Sequence, residues 1–140
     1  MNAYDLQIGL HLQGETKFGF DLAYGQKFEK ELEHIITEQT VSWFCGAKIE
    51  CKSDRLSAKT GNMFFEYESR GKPSGLAVTE SDYFAYDTGL CIYMFRTDKL
   101  KAFLRTGLVS GKYKEFLAGD DKTSKGLLVP IIDIVKANLR

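Results

Sequence analysis

Residues 49–87 read IECKSDRLSAKTGNMFFEYESRGKPSGLAVTESDYFAYD, and the patterning of this run decides the architecture. Ala47, Ile49 and Cys51 alternate with Lys48, Glu50 and Lys52, the period of two expected of a half-exposed strand. RLSAKTG is polar and ends in Gly61, after which NMFFEYES resumes as an apolar, aromatic strand. The two strands are expected to pair as an antiparallel hairpin with a long loop. RGKPSG reads as a turn from its Gly-Lys-Pro and Ser-Gly steps. Thr79 with Asp82 resembles a capping box opening a short helix over ESDYFAYD, on which Tyr83 and Tyr86 are expected to pack against the sheet.

Downstream, GLCIYMF reads as a buried strand, Thr97 caps a helix DKLKAFLRT that ends at Gly107, and KGLLVPIIDI is a last apolar run containing Pro130. Upstream, Phe28, Leu32, Ile35 and Ile36 recur at helical spacing in KFEKELEHIITEQ. Before that helix, Leu6, Ile8, Leu10 and Leu12 alternate, and KFGFDL follows the turn-like Gly14-Glu15, which predicts an N-terminal β-hairpin. The order predicts one α/β or α+β domain over residues 1–140, a mixed sheet flanked by helices, with 1–21 as a hairpin extension and 22–140 as the core.

A chain of 140 residues with 44% hydrophobic content supports one real core. It lacks the run of about 18 apolar residues that a membrane span requires, and its N-terminus lacks a signal-peptide layout, so a cytoplasmic protein with no membrane partner is expected. Nineteen basic and nineteen acidic residues cancel, which excludes a protein that holds nucleic acid by bulk charge alone. Cys45, Cys51 and Cys91 form no CxxC pair, and with His11 and His34 they give no zinc-ligand spacing.

The chemistry of the quoted run lies in its acids. Asp54 closes the first strand and Glu66 and Glu68 lie within the next, so a hairpin would bring three carboxylates together. Alternation puts Glu66 and Glu68 on one face and gives Asp54 the parity of Lys48, Glu50 and Lys52. Clustered carboxylates repel unless a hard divalent cation neutralises them, and all-oxygen ligation suits Mg²⁺ or Mn²⁺. Acids on an exposed strand face are commonly just solvated. The setting FFEYE, beside large apolar side chains, favours a partnered role. Arg70 and Lys72 follow in a glycine-containing turn, and Lys52, Arg55 and Lys59 flank Asp54, positions suited to contacts with a DNA backbone.

The run from Ile49 to Tyr86, followed by a strand and then TDKLKAFL, resembles small PD-(D/E)xK nucleases of phages and prophages, related to restriction endonucleases and Holliday-junction resolvases. The features that carry the resemblance are an acid closing a strand, a TGN turn, Glu inside the following strand, and an SG step before an aromatic pair. The resemblance spans about residues 22 to 132 and implies a restriction-endonuclease-like fold. It also implies a Mg²⁺-dependent endonuclease acting on duplex or branched DNA, in the cytoplasm of a bacterial host. It assigns Asp54 and Glu66 as metal ligands and puts Glu68 where most members carry lysine. Glu68 would then take a water-activating or second-metal role, with Lys72 or Lys59 supplying the missing positive charge. The family places an acid on the first helix, and the helical wheel favours Glu29 over Glu33. A competing reading uses Glu50-x-Lys52 as the acid-x-lysine element, but its required preceding acid, Glu38, stands at a helix end. The alternative function is a catalytically inactive nuclease-fold module that binds nucleic acid or serves as a phage accessory protein. The edge of the N-terminal hairpin offers pairing for a homodimer.

Overall fold

The computed structural model describes residues 17–39 and 46–140. Two compact units divide the chain, 1–43 and 44–140, and each is described by itself. In the first lies helix α1 (Lys17–Gln39). KFGFDL, expected as the second limb of a hairpin, forms its opening turns, in keeping with the four-residue recurrence of Phe20, Tyr24, Phe28 and Leu32 in the sequence. The expected first limb, residues 6–12, lies outside the described residues.

The second unit runs β1 (Ile49–Ser53), α2 (Ser57–Thr60), β2 (Asn62–Ser69), β3 (Lys72–Pro73), a 3₁₀ turn (Gly75–Ala77), β4 (Tyr83–Asp87), β5 (Ile92–Arg96), α3 (Thr97–Val109), β6 (Glu115–Ala118), β7 (Ser124–Pro130) and α4 (Ile131–Ala137). The fold is mixed α+β: a three-stranded mixed sheet ordered β1-β4-β5 and a four-stranded antiparallel sheet ordered β3-β2-β7-β6. No helix among the described residues is long and apolar enough to cross a membrane.

Two expectations change here. β1 does not form a hairpin with β2. It pairs in parallel with β4, from Ile49 opposite Tyr83 to Ser53 opposite Asp87. The turn of helix α2, closed by Gly61 at φ +70°, carries the chain from the first sheet into the second. YFAYD is a strand rather than a helix. Phe84, Ala85 and Tyr86 are consecutively buried because β4 is the central strand of its sheet, and its aromatic residues favour that setting over a helix. Asp82, in place of a capping role, accepts a hydrogen bond from the Lys48 backbone N–H at 2.8 Å and so ties the entry of β4 to the start of β1.

Of the downstream elements, GLCIYMF yields β5, which is not the buried strand expected but an edge strand with Leu90, Cys91 and Ile92 exposed, TDKLKAFL opens α3, and KGLLVPIIDI divides at Pro130 into β7 and α4. One core joins the elements: Met63, Phe65, Leu127 and Val129 from β2 and β7 pack with Phe84, Tyr86 and Phe95 of the first sheet and with Leu100, Leu104 and Ile134 of the helices. The opposite face of the second sheet carries Phe64, whose ring lies over Gly126. A Cβ at Gly126 would sit 2.3 Å from the Phe65 carbonyl oxygen and 2.6 Å from the Phe64 ring. Gly126→Ala is therefore expected to destabilise by about 1–3 kcal/mol, since a backbone carbonyl cannot step aside as a side chain can. The measurement is the urea midpoint, and an unchanged midpoint would contradict the packing described.

Candidate functional site

Asp54 follows β1 directly, and its backbone N–H extends the parallel ladder by donating to Asp87 O at 2.9 Å. Its Oδ1 accepts from the Leu56 N–H at 2.9 Å, and its Oδ2 accepts from the Tyr86 hydroxyl at 2.6 Å. Tyr86 is fully buried. Its oxygen also accepts from the Phe64 N–H at 3.0 Å and from Ser57 Oγ at 3.3 Å, so one hydroxyl holds β4, the Asp54 loop and β2 together. Burial would raise the Asp54 carboxyl. The hydrogen bonds from Tyr86 and Leu56, the neighbouring Ser57 hydroxyl and the charge of Lys52 outweigh it and hold the group below its ordinary value. Burial, and then the bond to Asp54, push the Tyr86 hydroxyl far up, so it stays a protonated donor through the neutral range.

Glu66 stands two residues after Phe64 on the same face of β2. Ser74 Oγ donates to its Oε1 at 2.5 Å, and the Ser74 N–H donates to Tyr67 O at 3.0 Å. The SG step seen in the sequence acquires a reason here. Gly75 adopts φ +51°, and a Cβ on it would lie 2.5 Å from the Glu66 carbonyl oxygen, so glycine is what lets Ser74 reach the carboxylate.

Lys52, which faces Tyr86 across the β1–β4 register, feels the charge of both acids. Its Nζ lies 4.9 Å from the centroid of the Phe64 ring and 5.8 Å from that of Tyr86. Burial lowers its pKa, against the opposing pull of the Asp54 and Glu66 charges. The arrangement is therefore two carboxylates of different sheets sharing the field of one desolvated ammonium.

Glu68 does not join them. The β2–β7 register runs Glu66 opposite Gly126 and then Glu68 opposite Lys125, so Tyr67 is an extra residue in a β-bulge. This bulge breaks the simple alternation that would have put Glu66 and Glu68 on one face. Glu68 shares the side of Lys125 and pairs with its Nζ at 3.0 Å. Among the described residues, no group of three or more His, Cys, Asp or Glu side chains is placed to hold a metal ion, so the expected three-carboxylate cluster is not formed.

The remaining expected positions divide. Arg55 and Lys59 are exposed on the loop and short helix beside Asp54. Arg70 and Lys72 sit at the β2–β3 hairpin tip, with Arg70 at φ +51° and 3.8 Å from Asp121. Lys72 is exposed there, and the ammonium beside Asp54 and Glu66 belongs to Lys52 instead. Glu29 is an exposed residue of α1, in the other unit. Glu50 shares the parity of Lys52, but its Oε2 accepts from Thr79 Oγ1 at 3.2 Å. Sequence reasoning missed Tyr86 because its segment read as a helix. Lys52 could have been found from its shared parity with Asp54. No family model, curated protein or solved structure matches the chain.

Because the folded Asp54 carboxyl titrates below its unfolded value, the stability it contributes is complete above the ordinary carboxylate range. It is lost as pH falls through the depressed value. Tyr86→Phe removes the donor to Asp54 and leaves the half-buried Phe64 N–H without this acceptor, at a cost of about 1–3 kcal/mol. A ¹³C titration in chelator is expected to show Asp54 of the variant protonating at higher pH than in the parent protein. Coincident titration curves would refute the role given to Tyr86.

Proposed function

We propose that this chain is a divalent-metal-dependent endonuclease of the PD-(D/E)xK type that hydrolyses phosphodiester bonds in DNA. The observation that carries the reading is that Asp54, at the end of β1, and Glu66 of β2 both act electrostatically on the half-buried Lys52, each carboxylate being held by a hydroxyl of its own. The donor set fits a hard cation. Both carboxylates offer oxygen only, each is oriented by a hydroxyl, and Mg²⁺ characteristically binds through one or two carboxylates while keeping waters and substrate phosphate as its other ligands. Asp54 and Glu66 would hold the ion, which when bound lowers the pKa of a water and stabilises charge on the phosphate.

The chain's own residues have separable tasks. Tyr86 and the Leu56 N–H each engage one lone pair of an Asp54 oxygen and Ser74 engages one Glu66 oxygen, which fixes both carboxylates and leaves each further lone pairs for a ligand. Lys52 supplies the positive charge that the Glu68 position lacks, and its aromatic surroundings keep it dehydrated, which strengthens its attraction for a phosphate oxygen or a hydroxide. Arg55 and Lys59 beside Asp54 suit backbone phosphates of the strand being held. Glu68, bonded to Lys125, has no catalytic task in this arrangement.

A second reading is favoured by the same lysine. An ammonium whose charge acts on both carboxylates partly neutralises them without a metal, as a nuclease-fold module that binds nucleic acid but does not cut would require.

Plasmid and branched DNA incubated with Mg²⁺ or Mn²⁺ separate the two. Cleavage is expected, abolished by Asp54→Ala and by Glu66→Ala, and reduced about 10²–10³-fold by Lys52→Met, the range for losing one charge-stabilising donor. Because Lys52→Met also removes a counter-charge from Asp54 and Glu66, it is expected to lower stability, and its activity is compared with the parent only below its own unfolding transition, followed by circular dichroism. Glu68→Gln should retain cleavage. Full activity in both acid variants would end the nuclease reading, and binding without cleavage in the parent protein would select the second.

A further inference from the structure

We infer that the site takes an unpaired nucleic-acid strand and that Phe116 is the platform on which a base beside the target phosphate stacks. The inference rests on the nuclease reading for the role of Asp54 and Glu66, while the platform itself stands on independent geometry. In the antiparallel register Gly126 of β7 pairs with Glu66 on one side and with Phe116 of β6 on the other. Residues paired in this way share a face, so Glu66 and Phe116 project from the same surface, two strand spacings or about 10 Å apart at their Cα atoms. A single nucleotide covers that distance from phosphate to base.

The floor between them is aromatic. Gly126 has no side chain, and the Phe64 ring occupies the space a Cβ would fill. Phe64 meets Phe116 in an edge-to-face arrangement, with centroids 6.2 Å apart and planes at 71°, and carries the Lys52 ammonium at 4.9 Å. A continuous path therefore runs from the two acids, past a cation, along Phe64 to Phe116. β6 is the edge of its sheet, and Phe116 keeps 48% of its surface exposed although it touches the aromatic floor. A large ring left open at the end of a charged, aromatic track matches the pairing of stacking surface and backbone cation by which single strands are bound without sequence preference. A base in an intact duplex has both faces already stacked and cannot use it. The substrate class indicated is single-stranded, flapped or branched nucleic acid with unpaired bases at the site.

The test uses the full chain in chelator, so that binding is read without cleavage. The probes are a fluorescent single-stranded oligonucleotide carrying 2-aminopurine and a blunt duplex of the same sequence. The parent protein is expected to prefer the single strand and to quench 2-aminopurine. Phe116→Ala should weaken single-strand binding about five- to 150-fold, the loss of one base stack, with quenching abolished and duplex binding little changed. Phe116→Trp should restore both signals. Equal single-strand affinity in parent and Phe116→Ala protein would overturn the inference. So would a parent dimer, seen by sedimentation, that Phe116→Ala dissociates, because the ring would then serve a second copy of the chain. Phe116-dependent strand binding in a protein that cuts nothing with Mg²⁺ or Mn²⁺ would remove the nuclease reading and leave the platform. Cleavage indifferent to Phe116 would do the reverse.

Discussion

The site is organised by the hydrogen-bonding capacity of one buried oxygen. The Tyr86 hydroxyl has one proton and two lone pairs, and three neighbours use them: it donates to Asp54 and accepts from the Phe64 N–H and Ser57 Oγ. A polar atom this deeply buried is costly unless satisfied, so its partners are held where they can reach it. The three partners belong to the loop after β1, to helix α2 and to β2 of the other sheet. Satisfying this hydroxyl therefore ties the Asp54 loop and β2 to β4 within the apolar core that the two sheets share.

Charge among Asp54, Glu66 and Lys52 is close to balanced. Two carboxylates and one ammonium leave a single formal negative charge. The β-bulge at Tyr67 contributes by exclusion. By moving Glu68 to Lys125 on the other face, it spares the site a third carboxylate that would have needed its own counter-charge. The Ser74-Gly75 turn contributes by closeness, since only a residue without a Cβ permits the backbone approach that brings Ser74 to Glu66.

The parts of the fold that followed from sequence are those in which one face of a local element is buried. The helical spacing of Phe28 and Leu32 and the aromatic run of β2 are statements about neighbours in the chain, and burial respects them, whereas β5, an edge strand, buries only Phe95 fully. The failures share another cause. YFAYD spaces its aromatics in a way compatible with a helix, and only its place between β1 and β5 makes it a strand buried on both faces. The β1–β2 hairpin was the simplest closure of a short connection, yet the turn of α2 made a crossover to another sheet available.

Asp54 and Glu66 were identifiable as a candidate pair from residue type and setting, because ionisable groups beside large apolar side chains require partners wherever the chain places them. Which partners they received was a matter of three-dimensional arrangement. Lys52, Tyr86 and Phe116 lie 14, 20 and 50 residues along the chain from Glu66 by their numbers. They reach its surroundings through strand register and sheet-to-sheet packing, neither of which local periodicity encodes. The loss of Glu68 has the same origin: a one-residue bulge reverses a face, and whether a bulge forms depends on the strand opposite rather than on the strand that contains it.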